Sequence, residues 1–173
     1  HGHHLAGVLF GGTLAGALQQ MKAREATIAA DISAGNKPRP GQIAALLASG
    51  ARLRVYSFTK YKSKKPDEKN GLASVTLLTG DPAAAKRAFT DLDAVADGVH
   101  FARDLVNEPA NHLYPIEFAA RARALTKYGV NVEVLAPAQM EKLGMGALLG
   151  VAQGSSHPPR FVVMRWNGGK RDA

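Results

Sequence analysis

The sequence predicts an α/β chain: a small N-terminal α/β domain over residues 1–80, a connector helix over 81–106, and the opening of a second α/β domain over 107–173. Three observations predict it. Short β-prone runs alternate with helix-period segments on both sides of the middle of the chain. A single apolar stripe of helical period occupies the middle itself. Pro109 ends that stripe, and a new set of helix and strand signals starts behind it.

In the N-terminal part, Thr13 to Met21 is Ala/Leu-rich and predicts a short helix. Gly11-Gly12-Thr13 just before it reads as a tight turn. An anion cradle at the helix start is the weaker alternative, because no Gly-x-Gly-x-x-Gly and no Walker-type Lys-Ser/Thr accompanies it. Ala26 to Ile32 predicts a buried strand, and Ser33 to Pro40, with Gly35, Asn36, Pro38 and Pro40, a loop. Gln42 to Phe58 predicts a helix with Ile43, Leu46, Leu47, Gly50 and Leu53 on one face and Arg52 off it. Leu72 to Thr79 predicts a second strand. The domain is expected to be incomplete at its start: the chain begins without Met, so native residues are expected upstream.

Asp81 suits the N-cap and Pro82 the first position of a long helix. Ala85, Phe89, Leu92, Val95, Val99, Ala102 and Val106 then step by three or four residues, one continuous stripe. Roughly 25 residues at about 1.5 Å each make a rod of about 37 Å, long enough to join two domains. Asp91, Asp93 and Asp97 fall off the stripe and read as a solvated face.

Beyond Pro109, Pro115 opens a helix expected to reach Tyr128, with Gly129 at its end. Val130, Val132 and Val134 alternate with Asn131 and Glu133 as a strand. Two short helices, Pro137 to Leu143 and Met145 to Val151, a turn-rich loop from Gly154 to Pro159, and a strand from Arg160 to Trp166 complete the reading. No internal repeat and no low-complexity segment interrupts it.

Composition bounds the chemistry. The 173 residues contain no cysteine, which excludes disulfides, Cys-ligated zinc and a Cys nucleophile. Apolar runs fall well short of a membrane span, and the start lacks a secretory pattern. His1, His3 and His4 read as a solvated chain end or tag remnant rather than a metal site. His100, His112 and His157 are scattered and read as structural. His-Glu-x-x-His is absent, and Gly154-Ser155-Ser156 lacks the Gly-x-Ser-x-Gly elbow. The acidic residues of the last part, Glu108, Glu117, Glu133, Glu141 and Asp172, make no cluster. No residue of this chain is therefore assigned a catalytic, cofactor-binding or metal-binding role.

Lys and Arg number 22 against 14 Asp and Glu, a net charge of +8. Lys60, Lys62, Lys64 and Lys65, interleaved with Tyr61 and preceded by Tyr56 and Phe58, form a basic loop. Lysines neutralise phosphates and aromatics stack on bases, so DNA is a candidate partner. A solvated, solubilising loop is the plainer reading.

From Arg103 onward the residues are distinctive. Arg103-Asp104-Leu105-Val106-Asn107-Glu108-Pro109-Ala110-Asn111, continuing through Pro115, Glu117, Phe118 and Ala119, resembles the junction between the two domains of leucyl aminopeptidases. The run Glu141 to Val151, and Gln153-Gly154-Ser155 followed by Pro158-Pro159-Arg160, are similar to further blocks of that family. Upstream, Gly50-Ala51-Arg52-Leu53 with Tyr56, Phe58, Tyr61 and Lys62 looks like the end of its N-terminal domain. One departure is Tyr114, where the family usually has Thr; losing that N-cap costs the helix about 1 kcal/mol.

The resemblance implies a macro-like N-terminal domain, a connector helix and a catalytic domain. It implies homo-hexamers in the cytoplasm that release N-terminal residues from peptides with two divalent metal ions (Zn, Mn or Mg). The family's metal-site motifs, Val-Gly-Lys-Gly-x-x-Phe-Asp-x-Gly-Gly and Asn-Thr-Asp-Ala-Glu-Gly-Arg, do not occur here. The ions are expected outside this chain, and the chain alone is expected to be inactive. The alternative is a non-catalytic module for nucleic-acid binding or oligomerisation; some bacterial relatives bind DNA. Ligand binding in the macro-like domain is a third possibility, without an adenine- or phosphate-recognition motif behind it.

Overall fold

The computed structural model describes residues 2–30, 40–63 and 71–169. The chain divides into two compact units, His1–Asp104 and Leu105–Ala173.

The first unit begins with α1 (Gly2–Gln20), β1 (Glu25–Ala29), α2 (Pro40–Arg54) and β2 (Ser74–Leu78). β1 and β2 pair in parallel, Glu25 opposite Ser74 through Ala29 opposite Leu78. A parallel pair needs a crossover, and α2 lies on it. Both strands alternate: Ala26, Ile28, Val75 and Leu77 are half-buried, while their neighbours face outward. The core gathers Ala30, Ala44 and Leu47, with Leu14, Ile43, Leu77 and Ala85 packed against it.

α1 corrects the expectation of a short helix from Thr13: it runs through Gly11-Gly12-Thr13, which is neither a turn nor a cradle. Thr13 Oγ1 donates to the Leu9 carbonyl at 3.0 Å, a bond made inside a helix. The glycines are there because α1 meets α2 backbone to backbone. A Cβ on Gly11 would lie 2.2 Å from the Leu47 carbonyl oxygen, and one on Gly50 1.9 Å from that of Val8. Gly11, which reads locally as part of a turn, and Gly50, expected on the packed face of its helix, are both required by packing.

The strand expected over Ala26 to Ile32 is found as β1, one residue earlier at its start. Ala30 follows it and donates its N–H to the Leu78 carbonyl. Residues 31 and 32 lie outside the described residues. α2 starts at Pro40 rather than Gln42 and ends at Arg54, four residues short of Phe58. It is buried nearly all round: Ala44, Ala45, Leu46, Leu47 and Ser49 are at most 4% exposed.

α3 (Pro82–Asn107) is continuous through Gly98, as its spacing predicts. Asp81 Oδ1 accepts the Ala84 N–H at 2.9 Å, the expected N-cap. The apolar stripe is only partly covered. Ala85 packs on the core, but Val95, Val99 and Val106 are 62%, 37% and 84% exposed, and Ala96 is the buried residue of the helix. The middle of α3 is held by polar residues on a neighbouring face, described below.

The second unit carries α4 (Pro115–Arg123), a 3-10 turn (Ala124–Tyr128), β3 (Asn131–Leu135), α5 (Pro137–Lys142), α6 (Gly146–Ala152) and β4 (Phe161–Arg165). The helix expected to reach Tyr128 tightens into 3-10 geometry after Arg123, and Gly129 closes it at φ 84°, a left-handed conformation that glycine adopts without strain. β3 and β4 are antiparallel, Asn131 opposite Arg165 and Leu135 opposite Phe161. Ala119, Ala122, Leu135 and Met140 form the buried centre of the unit, with Met140 fully enclosed.

Candidate functional site

Among the described residues no three His, Asp or Glu side chains come close enough to hold an ion. Glu117 sits in the first turn of α4, where it favours the helix dipole, and Glu133 points outward and faces Arg165 at 4.0 Å. Asp172 lies outside the described residues. The described residues do not fit a two-ion centre, and no hydrolytic step is assigned to them.

What the first unit does build is a polar seam between α2, the segment after it, and α3. Arg52 reaches Asp93 through a short ion pair, donates to the Asp93 carbonyl at 2.9 Å and to Asp97 Oδ1 at 2.6 Å. Asp93 and Asp97 keep the exposure expected of a solvated face, at 42% and 62%, but they are one helical turn apart, so a single guanidinium fork spans both.

Farther along α3, the Tyr56 hydroxyl donates to Asp104 Oδ1 at 2.6 Å. The Arg103 guanidinium lies 4.0 Å over the Tyr56 ring, and the His100 ring packs 5.2 Å away at 36°. Arg103 also donates to the Leu53 carbonyl at 3.0 Å, taking up an acceptor in the last turn of α2. His100 Nε2 is buried and finds no hydrogen-bond partner among the described residues. Tyr56 is therefore seated by positions i, i+3 and i+4 of one helix. Sequence reasoning missed this set. Its signal was present in the acid pair Asp93/Asp97 and in an arginine, Arg52, that lies off its own apolar face.

Beside the seam an open groove of about 680 Å³ runs along α1 and the last turn of α2. Leu9, Gly16, Gln20, Leu53, Arg54 and Arg103 are among its lining residues, and no Asp or Glu lines it.

Of the basic loop, Lys60 and Lys62 are exposed, and Lys64 and Lys65 lie outside the described residues. Lys60 Nζ sits 5.2 Å from the Tyr61 ring, and Tyr61 packs against Phe58 at 5.9 Å.

In the second unit the junction residue Glu108 is an internal anchor. Its side chain is 1% exposed and accepts from Arg121 at 2.8 Å. Tyr114 stacks on His157 at 4.3 Å and 13°. Ser155 Oγ accepts the His157 N–H at 3.1 Å, a turn contact rather than a nucleophile poised on a base. Among the described residues no helix is long and apolar enough to cross a membrane.

Two models of one family match the chain: the N-terminal domain of the cytosol aminopeptidase family over residues 9–65 and its catalytic domain over residues 100–173. A protein of Rhodopseudomonas palustris (strain TIE-1) named probable cytosol aminopeptidase is 58% identical over 147 residues, 84% of this chain and 29% of that protein. Its namesake from strain BisA53 is 53% identical over 164 residues, 94% of this chain and 32% of that protein. The chain thus spans about a third of the length of these relatives. Among solved structures, a mutant of tomato leucine aminopeptidase superposes with a TM-score of 0.80 at 26% identity, covering 96% of this chain and 33% of that one. The bottromycin maturation enzyme BotP in complex with Mn gives 0.73 at 29% identity, covering 93% and 33%. The two matched stretches follow in the order of the two domains, and the chain belongs to the cytosol aminopeptidase family.

Proposed function

We propose that this chain is the N-terminal part of a metal-dependent aminopeptidase that releases N-terminal residues, Leu among them, from peptides. The observation that carries the reading is the pair of family matches, over residues 9–65 and 100–173, with the junction residues Arg103 to Asn111 intact. The domain limits we propose are 1–80, 81–106 for the connector, and 107–173. When bound, a pair of divalent ions supplies an activated water and polarises the scissile carbonyl. The manganese named for BotP supports divalent ions as the cofactor class. We place those ions on residues outside 1–173, and we propose a homo-hexamer working in the cytoplasm.

The test compares the full-length parent with residues 1–173, each given Mn²⁺ or Zn²⁺ and Leu-p-nitroanilide. The parent should turn over and lose activity to a chelator; the shorter chain should do nothing. Chelator-sensitive turnover by residues 1–173 that survives purification overturns the placement of the metals. A folded parent without aminopeptidase activity under either metal overturns the function. The exposure of Lys60 and Lys62 beside Tyr61 favours one second reading, DNA binding through Lys60, Lys62, Lys64 and Lys65. Its mark is an affinity that falls steeply with salt.

A further inference from the structure

The groove beside the polar seam holds two arginines that have no counterion among the described residues. Arg52, two residues before Arg54, is neutralised by Asp93 and Asp97. Arg54 and Arg103 are both exposed, and among the described residues neither pairs with a carboxylate. Arg103 is moreover held in place. One end of its fork donates to the Leu53 carbonyl, its plane lies on the Tyr56 ring, and Tyr56 is itself fixed by Asp104. A guanidinium ordered by its own protein, with donors left over and no anion of its own, has already met the ordering cost of binding one.

The rest of the groove says what the anion is carried on. Leu9 and Leu53 offer apolar walls, and Gly16, which has no side chain, lets the Arg54 guanidinium lie close against α1. The open volume of about 680 Å³ lies within the range of small-molecule sites. The last turns of α1 and α2 both line it, through Gln20 and through Leu53 and Arg54. Helix C-termini carry partial negative charge, which opposes a phosphate dianion more than a monoanion. A planar carboxylate also matches a guanidinium fork in two parallel bonds.

We infer that this groove is a binding site for a small apolar carboxylate, a free or N-acylated amino acid with an aliphatic side chain, its carboxylate on Arg103 and Arg54 and its side chain against Leu9 and Leu53. The inference stands on the first unit alone and is independent of peptide hydrolysis.

The experiment titrates N-acetyl-L-leucine into the full 173-residue chain by calorimetry, with N-acetyl-L-leucinamide and inorganic phosphate as the other arms. Saturable binding of the acid in the millimolar range or tighter is expected. The amide, which keeps the shape and loses the charge, should bind at least about tenfold more weakly. Arg103→Lys keeps a charge but not the fork and should weaken the acid several-fold. Arg54→Ala, at an exposed side chain that has no carboxylate partner among the described residues, should weaken it with the circular dichroism spectrum unchanged. Equal binding of acid and amide overturns the site, as does an Arg54→Ala variant that is folded and binds normally. Phosphate binding as tightly as the acid overturns the carboxylate assignment. No saturation by the acid overturns the whole inference.

Discussion

α2 is gripped from two sides by opposite means. Against α1 the approach is closest at glycine: Gly11 and Gly50 let the backbones touch, with Leu14 packed on the Ala44 and Leu47 core beside them. Against α3 the helices are tied by side chains that reach across, Arg52 to Asp93 and Asp97, and Arg103 back to Leu53. The first contact has no tolerance for added volume. The second is exposed enough to exchange its partners for water. The two should therefore fail very differently when mutated.

The largest effect is expected at Gly50→Ala. The new Cβ would sit 1.9 Å from the Val8 carbonyl oxygen and 2.8 Å from the Gly12 nitrogen, both backbone atoms that cannot swing away. Overpacking of a tight core costs about 1–3 kcal/mol, and more where only backbone can yield. We expect about 3 kcal/mol or more, read as a large drop in the urea midpoint or as failure to fold. A variant within about 0.5 kcal/mol of the parent chain would mean that α1 and α2 do not touch in this way.

Next comes Glu108→Ala in the second unit, a polar contact that resembles the seam in chemistry but not in burial. The carboxylate is 1% exposed, while Arg121 is 28% exposed. Removing one partner of a buried pair strands the other, at about 3–5 kcal/mol when both are enclosed. Partial access of Arg121 to water reduces that to about 2 kcal/mol, measurable by thermal or urea unfolding followed at the second unit. Glu108→Gln, which keeps an acceptor for Arg121, should recover part of the loss.

These contrasts explain what could be read from the sequence. Asp81-Pro82 announced the start of α3, and the cap is there, because capping is a local matter between neighbours in the chain. The strands were legible from alternation, again a local property. Which face of α3 is covered was not. Its apolar spacing predicted a helix correctly, yet Val95, Val99 and Val106 are exposed while Asp93, Ala96 and Asp97 face their neighbours. Periodicity reports that a helix has a face; it does not report what the partner offers. Arg52 offered charge, so the acidic face won. Gly11 and Gly50 were illegible for the related reason that a missing Cβ has meaning only beside the backbone it admits. The family, in contrast, was legible from the junction blocks after Arg103. The basic groove was not, because Arg54 and Arg103 are 49 residues apart and meet only in the fold.

The seam itself should respond mildly. Asp93 and Asp97 side chains are 42% and 62% exposed, and ion pairs this accessible are worth about 0–1 kcal/mol each. The double change Asp93→Asn and Asp97→Asn keeps the size and an acceptor at both positions. It should cost about 1 kcal/mol at low salt and less at high salt, where screening already weakens the wild-type pairs. The discriminating measurement is the salt dependence of the difference. A cost that persists undiminished in molar salt would show that the seam acts through packing and hydrogen bonding rather than charge.

The smallest effect, and one of opposite sign, is expected at Gly98→Ala. Gly98 lies in α3 between Asp97 and Val99, is exposed, and a Cβ built on it meets nothing within 4 Å. It is thus the reverse of Gly50: the same residue type in a helix interior, with no neighbour that needs its missing side chain. Glycine in such a place costs a helix about 0.5–1 kcal/mol relative to alanine, because the unfolded chain gives up more freedom. Alanine should return that amount as a higher unfolding midpoint, with the denaturant slope unchanged. If Gly98→Ala instead destabilises the chain, something packs on α3 at that point, and the exposed side of the helix with Val95 and Val99 would have to be redrawn as a covered one.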